Sequence, residues 1–229
     1  MKAVISGATR GIGRGIAEKL AVQGYDLVLI ARTESDLRSL KSSLEDNGIT
    51  VSYLACDLAK NESIQSLKSN ANLFEGVTLT VNNLGIYSMQ NAKNIDLEGL
   101  QKQVEVNLYS AIRLTQFVLK DFSSSIRNIV NIASVMSIKS QPFAADYSIS
   151  KHAFKAWNDA LREELRSAGI KVSVIYPGSV NTSSWDGLEV DRNAMIQAED
   201  IAECVQCILK MSDNALLEEV HVSSQTFVP

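Results

Sequence analysis

Lys2-Ala-Val-Ile-Ser6 runs into Gly7-Ala-Thr-Arg10-Gly11-Ile-Gly13-Arg-Gly15, and an amphipathic segment, Ile12–Gln23, follows at once. Ala3-Val4-Ile5 shows no polar alternation, as expected of a strand covered on both faces. The glycines then allow backbone amides to approach an anion at a helix N-terminus, where the helix dipole favours negative charge. The spacing is G-x-x-x-G-x-G rather than the general dinucleotide form G-x-G-x-x-G, and a tight structural turn is the competing reading. The strand–loop–helix setting favours phosphate binding, with Gly7, Thr9, Arg10, Gly11, Ile12 and Gly13 as the contacting residues.

Working outward, the same alternation continues along the chain. Apolar runs at Lys2–Ser6, Leu27–Ala31, Thr50–Ala55, Thr78–Asn82, Asn128–Ile132, Lys171–Tyr176 and Glu219–Val222 predict seven strands. Helical spacing is expected over Ile12–Gln23, Glu34–Asn47, Leu97–Lys120, Asp146–Ala168 and Ala198–Lys210. Strands separated by helices at this spacing require right-handed parallel crossovers, hence an α/β, doubly wound parallel sheet with helices on both faces. At 229 residues, one domain spanning 1–229 is expected. Gly178–Gln197 lacks a period and follows the sixth strand, where ligand loops of open α/β sheets belong, so it is expected to be a substrate loop.

Composition removes several function classes. A net charge of −4 provides no basic field for nucleic acid. No apolar run reaches the roughly 18–20 residues of a membrane span. Met1 leads directly into the first strand, so no signal peptide is expected and the reading is cytoplasmic. Cys56, Cys204 and Cys207 suggest no disulfide framework, and Cys204-Val-Gln-Cys207 lacks the partners of a metal or redox site. No metal is expected.

Two further stretches carry chemistry. The second strand ends at Ala31-Arg32, where NAD-binding proteins commonly place a carboxylate for the ribose hydroxyls. A guanidinium suits a 2′-phosphate by charge and by its planar donor fork, and Arg10 could reach the same group, so NADP(H) is preferred over NAD(H). Glu34 and Asp36 keep the ribose alternative open. In Tyr147-Ser-Ile-Ser-Lys151, positions four apart share a helix face, so phenol and ammonium emerge together. The ammonium is expected to pull Tyr147 below its reference pKa of about 10, making it a general acid/base near neutral pH. Ser134, thirteen residues upstream, offers a hydroxyl for a developing oxyanion.

Taken in order, the Gly7…Gly11…Gly13 loop, Asp57, Asn82-Asn83-Leu84-Gly85, Asn107, Ser134, Tyr147/Lys151 and Pro177-Gly-Ser-Val-Asn-Thr182 resemble the short-chain dehydrogenase/reductase family in its compact branch, over nearly the whole chain. The resemblance implies a catalytic tetrad of Asn107, Ser134, Tyr147 and Lys151. It implies that Lys151 also holds the nicotinamide ribose and that Asn107 holds a water linking Lys151 to solvent. It assigns Asp57 and Leu58 to the adenine ring, and Asn83 and Gly85 to the central part of the cofactor. Pro177, Val180 and Thr182 match the segment flanking the nicotinamide. Leu84 departs from the alanine usual in the family.

The implied activity is hydride transfer between NADP(H) and the carbonyl or secondary alcohol of a small, fairly hydrophobic molecule. Ile86, Tyr87, Met89, Met136, Phe143, Trp185 and Leu188 are the substrate-side candidates, each with core packing as its alternative. A homodimer or homotetramer is implied through Leu97–Lys120 and Asp146–Ala168, with Phe154, Trp157 and Leu161 as interface candidates. A non-catalytic NADP-binding regulatory or scaffold protein is the rival reading.

Overall fold

A computed structural model describes residues 1–226. Seven strands form one parallel sheet in the order β3-β2-β1-β4-β5-β6-β7. They are β1 (Lys2–Ser6), β2 (Asp26–Ala31), β3 (Val51–Ala55), β4 (Val77–Asn82), β5 (Asn128–Ile132), β6 (Lys171–Pro177) and β7 (Glu219–Val222). The helices are α1 (Gly11–Val22), α2 (Glu34–Glu45), α3 (Ser63–Ser69), α4 (Leu97–Val104), α5 (Ser110–Phe122), α6 (Ala145–Arg166) and α7 (Ala198–Leu209).

The period of two along each strand sorts side chains onto the two faces. Ala3 and Ile5 of β1, with Leu27 and Leu29 of β2, meet α1, α2 and α7 through Ile16, Leu20, Leu37, Leu40, Ile201 and Val205. Val4, Val28 and Ile30 face the other way, against Leu67 of α3, Leu114, Phe117 and Val118 of α5 and Leu161 of α6. Strand order reverses between β1 and β4, so the loops after those two strands diverge and leave a crevice at the carboxyl edge.

One expectation is corrected and two details are added. Leu97–Lys120 is not one helix: the π-helical turn Glu105–Tyr109 separates α4 from α5. The turn carries Asn107, whose side chain is held by four contacts outside the local backbone pattern, and such turns frequently mark functional sites. Helix α3 is absent from the sequence expectation, since Ser63-Ile-Gln-Ser-Leu-Lys-Ser69 offers only a short apolar stripe. The loop Gly178–Gln197 contains single turns at Ser183–Trp185 and Arg192–Ala194 and closes through a parallel bridge between Val180 and Ile196. Among the described residues, no helix is long and apolar enough to cross a membrane.

Candidate active site

The glycine loop is built around a close backbone approach. A Cβ at Gly13 would lie 2.2 Å from the Gly7 carbonyl oxygen and 2.4 Å from Asn83 Nδ2, and Gly7 itself sits at φ +65°. Only glycine satisfies both positions. Asn83 clamps this loop from the β4 side: its Nδ2 donates to the Ser6 and Gly7 carbonyls at 3.1 Å each. Its amide donates to Ser6 Oγ at 3.0 Å. The Asn83 side chain thus supports the glycine loop from the β4 side. Leu84 packs over Gly7 and lines the crevice, which is the use this chain makes of the bulkier residue.

A cleft of about 150 Å³ runs from this loop across the ends of β2 and β3, lined by Gly7, Thr9, Arg10, Arg32, Asp36, Cys56 and Leu58 among others. Arg10 and Arg32 are exposed there. Among the described residues they are the arginines with no hydrogen-bond or ion-pair partner; Arg14, Arg38, Arg113, Arg127, Arg162, Arg166 and Arg192 all have one. Glu34, the first of the two competing carboxylates, is paired with Arg38 at 2.9 Å and lies outside the cleft lining, whereas Asp36 lines it. Asp57 caps its own turn, Oδ1 accepting from the Ala59 amide at 3.1 Å. Arg113, which sequence reasoning missed, steadies that turn by donating to the Leu58 and Ala59 carbonyls at 3.1 and 2.9 Å.

Ser134, Tyr147 and Lys151 meet at the carboxyl end of β5. Ser134 leads a single turn, Val135–Ser137, and its Oγ accepts from the Met136 amide at 3.1 Å. Helix α6 presents Tyr147 and Lys151 one turn apart, with Lys151 Nζ 5.8 Å from the phenol ring centre. Lys151 is 3% exposed, donates to the Ile132 carbonyl at 3.3 Å and lies over the Phe154 ring. Burial lowers the Lys151 ammonium to about 8. Burial likewise pushes the Tyr147 phenol up to about 12, with the Ser134 hydroxyl pulling the other way. The expected lowering of Tyr147 is therefore reversed here: desolvation disfavours the charged form of both groups and, at Tyr147, exceeds the lowering by the Ser134 hydrogen bond.

Asn107 is fully buried. Its Oδ1 accepts from the Ile86 amide at 2.8 Å, and its Nδ2 donates to Gln103 Oε1 at 2.7 Å, Ser150 Oγ at 2.9 Å and the Ile86 carbonyl at 3.1 Å. Its amide protons are thus committed to protein acceptors. A Cβ on Gly85 would lie 3.5 Å from Asn107 Oδ1 and 3.6 Å from Lys151 Nζ, so the open side of Gly85 separates those two groups.

The remaining predicted residues differ in exposure and support. Tyr87 packs edge-on against Tyr147, ring centres 5.0 Å apart, and burial and the nearby Asp146 carboxylate raise its pKa. Met89, Phe143 and Leu188 are exposed, while Ile86, Met136 and Trp185 are half-buried. Backbone bonds from Ala145 to Gln90 and from Ala92 to Pro142, at 2.9 and 3.1 Å, zip two of the loops together. Pro177 ends β6, Val180 is buried, and Thr182 returns to the glycine loop, its Cγ2 2.9 Å from where a Gly11 Cβ would stand. Arg192, also missed, pins this segment: it donates to Asn181 Oδ1 at 3.3 Å and the Thr182 carbonyl at 3.2 Å, and pairs with Asp186 at 2.8 Å. Phe154 and Leu161 are 2% and 8% exposed and belong to the core, so they are not available to an interface.

Comparison with known proteins places this geometry. Residues 1–193 match the family model described as short chain dehydrogenase. An uncharacterized oxidoreductase of Staphylococcus epidermidis is 29% identical over 225 residues, covering 96% of this chain and 95% of that one. An alcohol dehydrogenase of Thermococcus sibiricus, solved with 5-hydroxy-NADP, is 28% identical with a TM-score of 0.91, covering 100% of this chain and 98% of that one. A 3-oxoacyl-[acyl-carrier protein] reductase of Brucella melitensis, solved with NAD, is 26% identical with a TM-score of 0.88, covering 96% and 94%. With the family model matching residues 1–193 and the fold shared with the Thermococcus enzyme over its whole length, this chain belongs to the short-chain dehydrogenase/reductase family of oxidoreductases.

Proposed function

We propose that the chain is an NADP(H)-dependent reductase of small, fairly hydrophobic carbonyl compounds, running the reverse alcohol oxidation at the same site within one catalytic domain. The observation that carries this reading is the meeting of the Tyr147 phenol, the Ser134 hydroxyl and the buried Lys151 at the crevice that the glycine loop opens.

The residues fit the cofactor. Gly7 and Gly13 let the loop fold tightly onto the N-terminus of α1, where the helix dipole favours a pyrophosphate. Arg10 and Arg32, both unpaired in the cleft, suit a 2′-phosphate, and the Thermococcus relative was solved with an NADP derivative. NAD(H) is the weaker candidate, with Asp36 as the carboxylate available to it. Bound there, NADP(H) supplies or accepts the hydride.

Tyr147 performs the proton step. Reduction leaves an alkoxide on the substrate, and a phenol whose pKa is held high by burial carries its proton at neutral pH and can give it up to that oxygen. Ser134 donates a hydrogen bond to the same oxygen as charge develops. Lys151, protonated below about 8, stabilises the phenolate left behind. Asn107 holds the loop after β4 through Ile86 and so keeps Tyr87 against Tyr147. Met89, Phe143 and Leu188 present an apolar rim to the substrate. The oligomer we infer is a homodimer or homotetramer formed by the outer faces around α5 and α6, where Tyr109 and Ile149 are exposed.

Tyr147→Phe separates an enzyme from a non-catalytic NADP-binding protein. NADPH affinity, read by fluorescence titration, is expected to stay within about threefold, while 2,3-butanedione reduction falls by a factor of about 100 or more. Equal turnover by the two proteins would remove Tyr147 from the mechanism.

A further inference from the structure

Asp146 has no exposed surface and takes no part in the chemistry above. As a carboxylate it can only accept hydrogen bonds. Ser88 Oγ donates to Asp146 Oδ2, and with its proton so committed it accepts from Gln103 Nε2 at 2.7 Å. Gln103 in this orientation turns Oε1 towards Asn107 Nδ2, 2.7 Å away. Asn107 then shows Oδ1 to the Ile86 amide and to the open side of Gly85, across from Lys151 Nζ. Asn107 Nδ2 also donates to Ser150 Oγ at 2.9 Å, and Ser150 donates to the Tyr147 carbonyl at 2.7 Å, so the chain closes around the first turn of α6.

We propose that Asp146 is a positioning residue for proton transfer: it ends a one-way hydrogen-bond chain, Asn107 to Gln103 to Ser88 to Asp146, that fixes the Asn107 carboxamide beside Lys151. A hydroxyl and two carboxamides can each be turned round, whereas a carboxylate cannot; it sets the sense of every bond that leads to it. The Ile86 backbone sets the same sense at the other end. Gln103, Asn107 and Asp146 are all buried, so a reversed member would leave a buried donor facing a donor. This role rests on the reductase reading only for its effect on turnover; its effect on Asn107 holds in the cofactor-free chain.

The test uses Asp146→Ala, Asp146→Asn, Gln103→Glu and the double variant Gln103→Glu/Asp146→Asn in the full chain, with NADPH and 2,3-butanedione. Asp146→Ala is expected to lower kcat by about tenfold or more and to leave KM for NADPH within about threefold, because the glycine loop and the arginine cleft are untouched. Asp146→Asn, whose oxygen still accepts from Ser88, should recover kcat to within about threefold of wild type. Gln103→Glu sets two buried carboxylates on one hydroxyl and should lose about tenfold or more. The double variant moves the carboxylate to position 103, lets the carboxamide introduced at position 146 donate to Ser88, and should restore turnover to within about threefold.

Hydrogen exchange at the Ile86 amide, read by NMR without cofactor, provides a readout independent of catalysis. It should speed up about tenfold or more in Asp146→Ala and stay unchanged in Asp146→Asn. Unchanged exchange in Asp146→Ala, or a double variant as impaired as Gln103→Glu alone, would overturn the proposal. If Asp146→Ala does not fold, the double variant against Gln103→Glu decides. A wild type that turns over nothing while exchange still accelerates in Asp146→Ala would instead refute the reductase reading and uphold the role in fixing Asn107.

Discussion

Lys151, to which we assign a catalytic role, sits against the stability of its own fold. Its ammonium is 3% exposed, faces a backbone carbonyl and two rings rather than a carboxylate, and is lowered to about 8 by burial. The drop from 10.5 corresponds to something on the order of 3 kcal/mol against the charged form. An unfolded lysine keeps its proton up to 10.5 and the folded one only up to about 8, so the unfolded chain binds more protons between those values and stability rises with pH across that window. Lys151→Met is therefore expected to stabilise the cofactor-free chain by about 1–3 kcal/mol below pH 8, with the gain fading towards pH 10.5, while carbonyl reduction is lost. Urea melts at about pH 7 and pH 10, either side of the folded value, check this. Equal midpoints for both proteins at the lower pH would show that the buried charge carries no such cost. The direction of the Tyr147 shift was not legible in the spacing Tyr147-x-x-x-Lys151, because spacing reports proximity and not dehydration.

At the scale of elements, the strand–glycine loop–helix unit was readable nearly residue by residue: the expected strand Lys2–Ser6 matches β1, and helix α1 begins within the loop at Gly11. Local chemistry is enough to recognise the unit, since an apolar run, a glycine cluster and a helical period follow one another directly. The requirement at Gly13 yields a sharp expectation. Gly13→Ala drives a methyl into the Gly7 carbonyl, costing about 1–3 kcal/mol of stability and weakening NADPH binding by about tenfold or more, measurable by thermal melts and fluorescence titration. Retained affinity and an unchanged Tm would mean that the loop shifts freely to accept the methyl. By contrast, the break at Glu105–Tyr109 was hidden in a continuous apolar period. A π turn is specified by what Asn107 bonds across space, on the loop after β4 and on α6, and those partners lie far along the chain.

For the whole molecule, the crevice exists because strand order reverses between β1 and β4, and the cleft at its edge carries two arginines left unpaired while every other described arginine found a partner. Arg32→Ala is expected to weaken NADPH by about tenfold or more and NADH much less, given about 1.5–3 kcal/mol for a charge-assisted contact. The gap should narrow as salt rises towards about 1 M, because both arginines are exposed and screening is effective there. Parallel titrations with the two cofactors check this, and equal losses for both would remove Arg32 from cofactor choice.

The seven strands, their parallel arrangement and the placement of Tyr147 and Lys151 one turn apart on a helix were determined by the sequence alone, because hydrophobic period, glycine position and helical spacing are local quantities that survive without a fold. Only the tertiary structure decided which groups are dehydrated, which carboxylate faces the cleft and which amide points at which hydroxyl. Asp36 rather than Glu34 beside Arg32, and the chain from Asp146 through Ser88, Gln103 and Asn107, join segments up to 58 residues apart in sequence. Burial and hydrogen-bond direction are properties of the assembled surroundings, and the glycine loop acquires its partners Asn83 and Thr182 only when the sheet brings its carboxyl edges together.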